Sequence, residues 1–486
     1  MFSAIGNTMS MGVLFAVPHL YYALSWSLLG MKPSGTLNQL IALAAGPGVA
    51  PINLISWAGL ILVMGLKLSS IIYMLLLGPM RSVDASLEES ARMAGAGRLR
   101  SFVQIELPVL APALLSATVL AFVASLGILD IPLILGAPVG IQTLSTQVFY
   151  LINTRLPADY AGANTVALLV MLCVGTAVLI QYLLTRGKKF TTIGGKSFRR
   201  ARVELKNWRF VAAAVIAIFL VVAVVLPMAQ LVLSSLQPYP GVYSNLSLKH
   251  YQSALANPKI LNAFGISLLF GVVGGLIATI SALVISIVTV RSRSRLRRVP
   301  QALAVLILSV PGIMIALGVL SIVLAIPLLH PVYSTMALCM VALIIAFTPI
   351  ANRLTVGAIA QLGPEMEEAA RMSGAGFVRS TMGILVPLIM PTFIAAWFVV
   401  GVIIAGNFEM PALLSAPGTE PVTLLALQVF QHGSVGEATA ISCLMLIGIA
   451  IPLAALAIAA RLWQRYQARR RAAIAGSALN VRNSNS

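Results

Sequence analysis

Few residues of this 486-residue sequence have the types and spacing that chemistry requires. The tetrapeptide Gly194-Gly195-Lys196-Ser197 ends like a phosphate-binding loop. That motif needs another glycine five residues before its last glycine, and this sequence has Phe190 there. We therefore expect no nucleotide site in this chain, so that any ATP its function consumes is hydrolysed by another subunit.

Metal-binding and catalytic residue sets are not evident either. None of the four histidines stands at ligand spacing from another His, Cys or carboxylate, and no Ser-His-Asp set or carboxylate pair indicates catalysis. The three cysteines lie inside apolar runs, where they usually serve as small packing residues. The sequence predicts a protein that is not an enzyme and binds no metal or cofactor. These residues are His19, His250, His330, His432, Cys173, Cys339 and Cys443.

Three charged residues interrupt apolar runs, namely Lys67, Asp130 and Glu409. Charges inside a bilayer are costly and usually functional, so all three are candidates for lining a solute path. We expect Asp130 and Glu409 near the outer ends of their spans. Structural alternatives stand beside this interpretation. The acids could cap or hydrogen-bond neighbouring helices, and Lys67 could pair with a partner or extend its ammonium to the membrane surface.

The elements that hold these residues must be membrane helices. Hydrophobic residues make up 59% of the chain and charged residues 9%, whereas a soluble protein carries about 25% charged residues. The apolar runs are continuous rather than alternating, which favours helices over barrel strands. We predict an all-α polytopic membrane protein with about ten spans of the usual ~20 residues. The predicted spans cover 9–30, 53–79, 109–135, 162–185, 210–235, 262–290, 301–326, 333–355, 388–412 and 437–460.

The basic residues predict the orientation of these spans. The net charge of +19 would suggest nucleic acid in a soluble protein, but here most Lys and Arg fall in alternate loops, as the positive-inside rule requires. The opposite loops hold only Lys32, Arg155, Lys249 and Lys259. We therefore expect both termini in the cytoplasm, membrane lipid around the chain, and no nucleic-acid partner. The basic segments are 81–100, 186–209, 291–298 and the tail from Arg461, with Arg353, Arg371 and Arg379.

An internal repeat is the strongest feature of the sequence. Residues 88–101 read EESARMAGAGRLRS, and residues 367–380 read EEAARMSGAGFVRS. The similarity continues at the same offset to Asp130-Ile-Pro132 and Glu409-Met-Pro411. Six predicted spans separate the two copies, so both copies face the same side of the membrane. This parallel arrangement differs from the inverted repeats of many secondary transporters.

The repeat divides the chain unequally. Val17-Pro18 resembles Val310-Pro311, which leaves the spans 210–235 and 262–290 without counterparts and gives a layout of four plus six spans. By this alignment Met1 falls in a cytoplasmic loop. Either the family member is naturally short or the chain lacks the start of a longer one, and we expect that Met1 is an internal start within a longer gene. The predicted parts are a first permease repeat that is short at its N-terminus, a basic cytoplasmic linker, a second permease repeat and a basic cytoplasmic tail, at 1–185, 186–209, 210–463 and 464–486.

The repeated segment resembles the cytoplasmic EAA loop of binding-protein-dependent ABC importer permeases, whose pattern is E-A-A, three residues, G, nine residues, then I-x-L-P. Both spacings hold, with Ser90 and Val386 as mild departures. The resemblance covers nearly the whole chain and is closest to the fused two-half permeases of ferric-iron importers. By resemblance the ATPase-docking residues are Glu89, Ser90, Ala91, Gly95, Ile105 and Pro108 in the first copy, and Glu368, Ala369, Ala370, Gly374, Ile384 and Pro387 in the second.

This resemblance implies the fold of a type I ABC importer permease, with two copies of a cytoplasmic ATPase and a periplasmic solute-binding protein as partners. It also implies location in the bacterial inner membrane and, for the substrate, ferric iron. Phosphonate, thiamine and polyamine remain alternatives. A carrier that works without ATP is a second class of function, but the parallel repeat and the few intramembrane acids weigh against it. A membrane-embedded enzyme is a third class, and no convergent polar cluster supports it.

Overall fold

The computed structural model describes residues 10–46, 51–81, 90–185, 208–452 and 454–455, except Arg92, Ala94, Arg293 and Pro364. The predicted docking residue Glu89, the phosphate-loop-like tetrapeptide, most of the linker and the tail from residue 456 lie outside the described residues. Within the described part all regular secondary structure is helical. The prediction of an all-α polytopic protein is therefore confirmed.

The first half contains nine described helices. Their ranges are α1 Ser10–Ala16, α2 His19–Gly30, α3 Thr36–Ala45, α4 Trp57–Arg81, α5 Arg98–Ser101, α6 Leu107–Gly127, α7 Asp130–Leu135, α8 Leu144–Asn153 and α9 Tyr160–Thr185.

The second half contains the remaining helices. Their ranges are α10 Trp208–Leu220, α11 Leu226–Leu236, α12 Lys249–Ala256, α13 Pro258–Leu269, α14 Gly275–Arg291, α15 Arg298–Leu308, α16 Gly312–Ala325, α17 Met336–Ala360, α18 Glu365–Met372, α19 Phe377–Ser380, α20 Val386–Ala405, α21 Pro411–Leu414, α22 Val422–Gln431 and α23 Val435–Pro452.

Eight helical segments in the described residues are long and apolar enough to cross a membrane, and two bent pairs raise the number to ten. The bent pairs correct the predicted spans 9–30 and 301–326, which are not continuous helices. Helices α1 and α2 meet at 101°, and α15 and α16 meet at 113°. Pro18 and Pro311 stand at the two bends in nearly the same extended conformation. Because proline has no N–H and clashes with the preceding turn, it ends one helix and starts the next.

Four spans contain a π-helical turn, and three of these turns have one cause. The turns Phe102–Glu106, Val221–Val225 and Thr381–Leu385 each end two residues before a proline. A proline ring clashes with the carbonyl four residues earlier, which falls inside the turn in each case, and the wider turn relieves that clash. The freed carbonyl of Ala223 accepts a hydrogen bond from the Tyr22 hydroxyl at 3.0 Å.

The two halves share one core. The largest cluster of buried apolar side chains draws on α2, α4 and α7 of the first half and on α11, α22 and α23 of the second. Helix α11 packs directly on α2. A second cluster lies within the second half, where α14 packs against α17 and α20. The interface between the halves is therefore part of the folded interior rather than a surface contact.

Candidate functional site

The second predicted docking loop is a short helix closed by a glycine turn. Helix α18 has the sequence EMEEAARM, with acids in its first turn and Arg371 in its last, which complements the helix dipole. Glu368 and Ala369 are exposed and Ala370 is half-buried. Gly374 donates to the Arg371 carbonyl, and Ala375 donates to the Ala370 carbonyl at 3.0 Å. These two bonds form the Schellman motif that ends many helices.

The first docking loop closes in the same way. Ala96 donates to the Ala91 carbonyl at 2.9 Å, the bond that corresponds to Ala375–Ala370. Gly95 and Gly374 have φ of 81° and 86°, the left-handed region that the motif needs. A Cβ on either glycine would meet no other atom within 4 Å. Glycine is therefore required at both positions by the backbone conformation and not by crowding.

Both loops expose apolar side chains, which the sequence interpretation missed. Met93 is 85% exposed and Met372, at the equivalent position of the second copy, is 89% exposed. Phe377, Val378 and Met382 are also exposed beside the second loop. Apolar side chains presented together indicate a contact surface. The signal available in the sequence was the repeat itself, because it places Met at both positions.

The remaining residues of the predicted docking motifs lie at the base of the span that follows each loop. Ile105 and Ile384 lie half-buried within matching π-helical turns, Phe102–Glu106 and Thr381–Leu385. Pro108 and Pro387 are the second residues of the helices that follow, α6 and α20. Each docking loop is thus joined to a span through a π-helical turn that its own I-x-L-P-like segment produces.

The two docking loops leave the same end of the molecule. Pro79, near the C-terminus of α4, and Arg353, in the C-terminal part of α17, line one cavity. These two helices run into the first and the second loop. At the opposite end, Gln39 donates to the Gly241 carbonyl and Asn262 to the Gly418 carbonyl. The loops predicted to lie outside therefore gather together, as a parallel repeat requires.

A cavity of about 230 Å³ lies between the two halves, beside the two helix bends. Its lining comes from equivalent positions of both repeats, with Gly127 ending α6, Gly406 following α20, and Pro18 and Pro311 at the bends. His19 and Asn407 add further polar groups. The cavity therefore lies close to the pseudo-twofold axis that relates the repeats.

Asp130 and Glu409 both line this cavity. Helices α6 and α20 end at Gly127 and Ala405, so both acids lie just beyond the helical ends of the two spans. Asp130 is buried and Glu409 is partly buried. The two carboxyl groups interact electrostatically with each other. Oδ1 of Asp130 has no hydrogen-bond partner in the described part of the chain.

Each acid faces the start of a helix that follows a bend. The Asp130 carboxyl approaches the backbone N–H of Leu20, the second residue of α2. Oε2 of Glu409 lies over Gly312, the first residue of α16, and its carboxyl also approaches the N–H of Leu129 in the other half. The positive ends of the two helices hold both carboxyl groups in place. Asp130 and Glu409 can therefore cap the two helices and also line the cavity, so the two alternatives for these acids do not exclude each other.

Lys67 occupies a different environment. Its buried ammonium group donates to the carbonyls of Leu14 and Val17, at 2.6 Å from the latter, where α1 ends at the bend. It also lies 5.6 Å from the Tyr22 ring centre and interacts electrostatically with Asp130. It does not line the cavity, although its neighbour Leu68 does. This geometry matches the structural alternative for Lys67, in which it caps the broken end of α1.

A second cavity continues the first toward the docking loops. Its volume is about 520 Å³, and it shares Leu120, Val123 and Leu308 with the first cavity. Ser309 and Arg353 supply polar groups to its wall. The two cavities and the apolar neck between them form a discontinuous channel along the interface of the halves.

The histidines and cysteines do not assemble into a metal centre in the residues that the structure describes. His250, His330 and His432 contact backbone carbonyls of Gln237, Leu324 and Gln428, and His19 lines the central cavity.

Comparison with known proteins gives one family. The sequence model of the family described as the binding-protein-dependent transport system inner membrane component matches residues 8–190 and again residues 271–473. The two matches contain the two docking loops and the two acids of the cavity.

Three relatives illustrate the range of these matches. The ferric transport system permease protein of Actinobacillus pleuropneumoniae is 22% identical over 390 residues, 79% of this chain and 55% of the relative. A protein of Haemophilus influenzae that is provisionally named a ferric transport system permease protein is 24% identical over 340 residues, 68% of this chain and 52% of the relative. The putrescine transport system permease protein of Escherichia coli K12 is 35% identical over 111 residues, 23% of this chain and 38% of the relative. The chain spans about half the length of the two ferric relatives.

Proposed function

Because this chain belongs to the family of binding-protein-dependent transport system inner membrane components, a group of multi-pass ABC importer permeases, we propose that it is the subunit through which such an importer moves a small solute into the cytoplasm. It supplies the path and the docking surfaces, and a separate subunit hydrolyses ATP. The single observation that carries this proposal is the arrangement of two equivalent loops at one end of an interface that contains the cavities.

The two docking loops each receive one copy of a cytoplasmic ATPase. The exposed Met93 and Met372 supply apolar contact area at equivalent positions, and the Schellman turns keep both short helices rigid. A periplasmic binding protein delivers the solute to the opposite end. The proposed location of the docking loops and both termini is the cytoplasm of a bacterium, and the basic segments support it through the positive-inside rule.

The solute we propose is ferric iron. Support comes from the names of the two ferric relatives and from the two carboxyl groups at the central cavity. Two acids beside one path favour a cation over an anion, and carboxylate oxygen is a preferred ligand of hard cations. Oδ1 of Asp130 has no hydrogen-bond partner in the described part of the chain, so this carboxyl keeps one uncommitted oxygen beside the cavity. The polyamine alternative is also cationic and agrees with the putrescine relative, whereas phosphonate is anionic.

Solute uptake tests the path. The full chain is purified with its ATPase and binding protein and reconstituted into vesicles that contain ATP. We expect Asp130→Asn together with Glu409→Gln to reduce ferric uptake at least tenfold with the ATPase still bound. Asp159→Asn is the matched control, because Asp159 is a partly exposed acid outside the cavity.

Three outcomes would contradict the proposal. Undiminished uptake by the double variant would exclude the acids from the path. Uptake of putrescine, thiamine or a phosphonate, without uptake of iron, would show that ferric iron is not the substrate. Equal uptake with and without ATP would favour a secondary carrier.

A further inference from the structure

One buried ion pair in the described residues joins the second docking loop to the membrane helices. Arg291, the last residue of α14, has its Nε 2.8 Å from Oε1 of Glu367 in α18. The same guanidinium donates from a terminal nitrogen to the Leu362 carbonyl at 2.9 Å. Arg291 therefore contacts the docking helix and the turn that leads into it.

The burial of this pair distinguishes it from a surface ion pair. The side chains of Arg291 and Glu367 are 11% and 5% exposed. The Arg155–Asp159 pair, in contrast, is 65% and 36% exposed. Screening by water makes exposed pairs weak, whereas removing one partner of a buried pair leaves an uncompensated charge. Movement of the short helix away from α14 would separate the Arg291–Glu367 pair and leave a buried charge uncompensated.

Glu367 is not the exposed acid of the docking motif. It precedes Glu368 and faces inward, while Glu368 faces solvent. The Ser380 hydroxyl donates to the Glu367 carbonyl, which joins the start of α18 to the end of α19. The two adjacent acids thus have different environments: Glu367 is held inside the protein, and Glu368 is accessible to a partner.

Arg291 also connects the loop to the centre of the second half. Helix α14 packs along both α17 and α20, the spans before and after the docking loop. Its Ser286 shares hydrogen bonds with Thr355 and Asn352 of α17. A force on α18 is therefore transmitted through Arg291 into a third helix, in addition to its covalent connections.

We propose that Arg291 and Glu367 are positioning residues that hold the second docking helix against α14, so that movement of the docked partner moves the spans as one body. This inference rests on the proposed function for its consequence in transport. The geometric part, the immobilisation of α18, does not depend on it.

The first test measures loop mobility in the full chain without any partner. Cys173, Cys339 and Cys443 are replaced, a single cysteine is placed at Met372 or at Met93, and a spin label is attached in lipid nanodiscs. We expect Arg291→Gln and Glu367→Gln to increase the mobility of the label at 372 and to leave the label at 93 unchanged. The charge-exchanged double variant, Arg291→Glu with Glu367→Arg, should restore the immobile spectrum. Arg155→Gln serves as the control.

The second test measures coupling in the complex with ATPase and binding protein. We expect each single variant to lose at least tenfold in uptake per ATP hydrolysed, and the exchanged pair to recover most of it. An unchanged label at 372 in both single variants, each with a normal melting temperature, would overturn the proposal. Mobile labels with fully coupled transport would overturn its functional part. If the unaltered chain bound no ATPase, the proposed function would fail while the mobility result would still stand.

Discussion

Gly127 of the first half lies against Pro311 of the second so closely that a Cβ on the glycine would come within 2.7 Å of the proline Cβ. The contact is reciprocal, because a Cβ on Gly406 would come within 2.7 Å of Cγ of Pro18. Each bend is thus covered by the glycine that ends or follows a span of the other half. Movement of the halves relative to each other must change both contacts together.

Replacing Gly127 or Gly406 by alanine should destabilise the interface. The added methyl group meets a rigid proline ring, and overpacking of this kind costs about 1–3 kcal/mol. The melting temperature in detergent should decrease, and so should the rate of solute uptake. Gly65→Ala is the control, because nothing lies within 4 Å of its Cβ position and alanine favours a helix. Equal melting temperatures for Gly127→Ala and Gly65→Ala would contradict the close contact.

Gly374→Val should separate ATP hydrolysis from transport. A left-handed conformation costs a residue with a side chain about 1–2 kcal/mol, and valine is worse because it is β-branched. We expect reduced ATPase association with normal membrane insertion, measured by co-purification, and the same for Gly95→Val. Gly376→Val is the matched control, since Gly376 has φ of −65° and open space around it. Full transport and normal ATPase binding by Gly374→Val would count against the docking role.

Pro387→Ala should convert the π-helical turn Thr381–Leu385 into ordinary α-helix. Alanine restores a backbone N–H and removes the ring clash, and losing the extra residue of the turn rotates the docking loop by about 100° relative to α20. Uptake should decrease although the span itself becomes more regular. Pro227→Ala makes the same change after the turn Val221–Val225, which is not adjacent to a docking loop, and should leave uptake intact. Equal effects of the two substitutions would show that the turn has no special role beside the loop.

Lys67→Met should lower the melting temperature, while the protein that remains folded should keep most of its transport activity. It leaves the carbonyls of Leu14 and Val17 without a partner, and each buried unsatisfied group costs about 1–3 kcal/mol. The melting temperature in detergent measures the effect, with the exposed Lys249→Met as control. A variant that melts normally but does not transport would instead place Lys67 in the path.

The sequence by itself determined the class of fold and the positions of the two repeated loops. Continuous apolar runs must satisfy their backbone within helices, and the repeat of EESARMAGAG in EEAARMSGAG specified where the two loops lie. The positive φ at Gly95 and Gly374 also followed from local chemistry, because the turn that ends a short helix requires it. Such features depend on neighbours in the chain, which the sequence displays directly.

Only the tertiary structure decided what the buried charges contact. Apolar runs are interrupted or ended by three charged residues, Asp130, Lys67 and Arg291. Composition alone cannot distinguish a structural role from a role in the solute path for any of them. Their partners come from distant segments: Lys67 for Asp130, the end of α1 for Lys67, and Glu367 for Arg291. A charge in a low-dielectric interior takes its role from whichever groups compensate it. Those groups are brought near by the packing of the helices and not by the order of the residues.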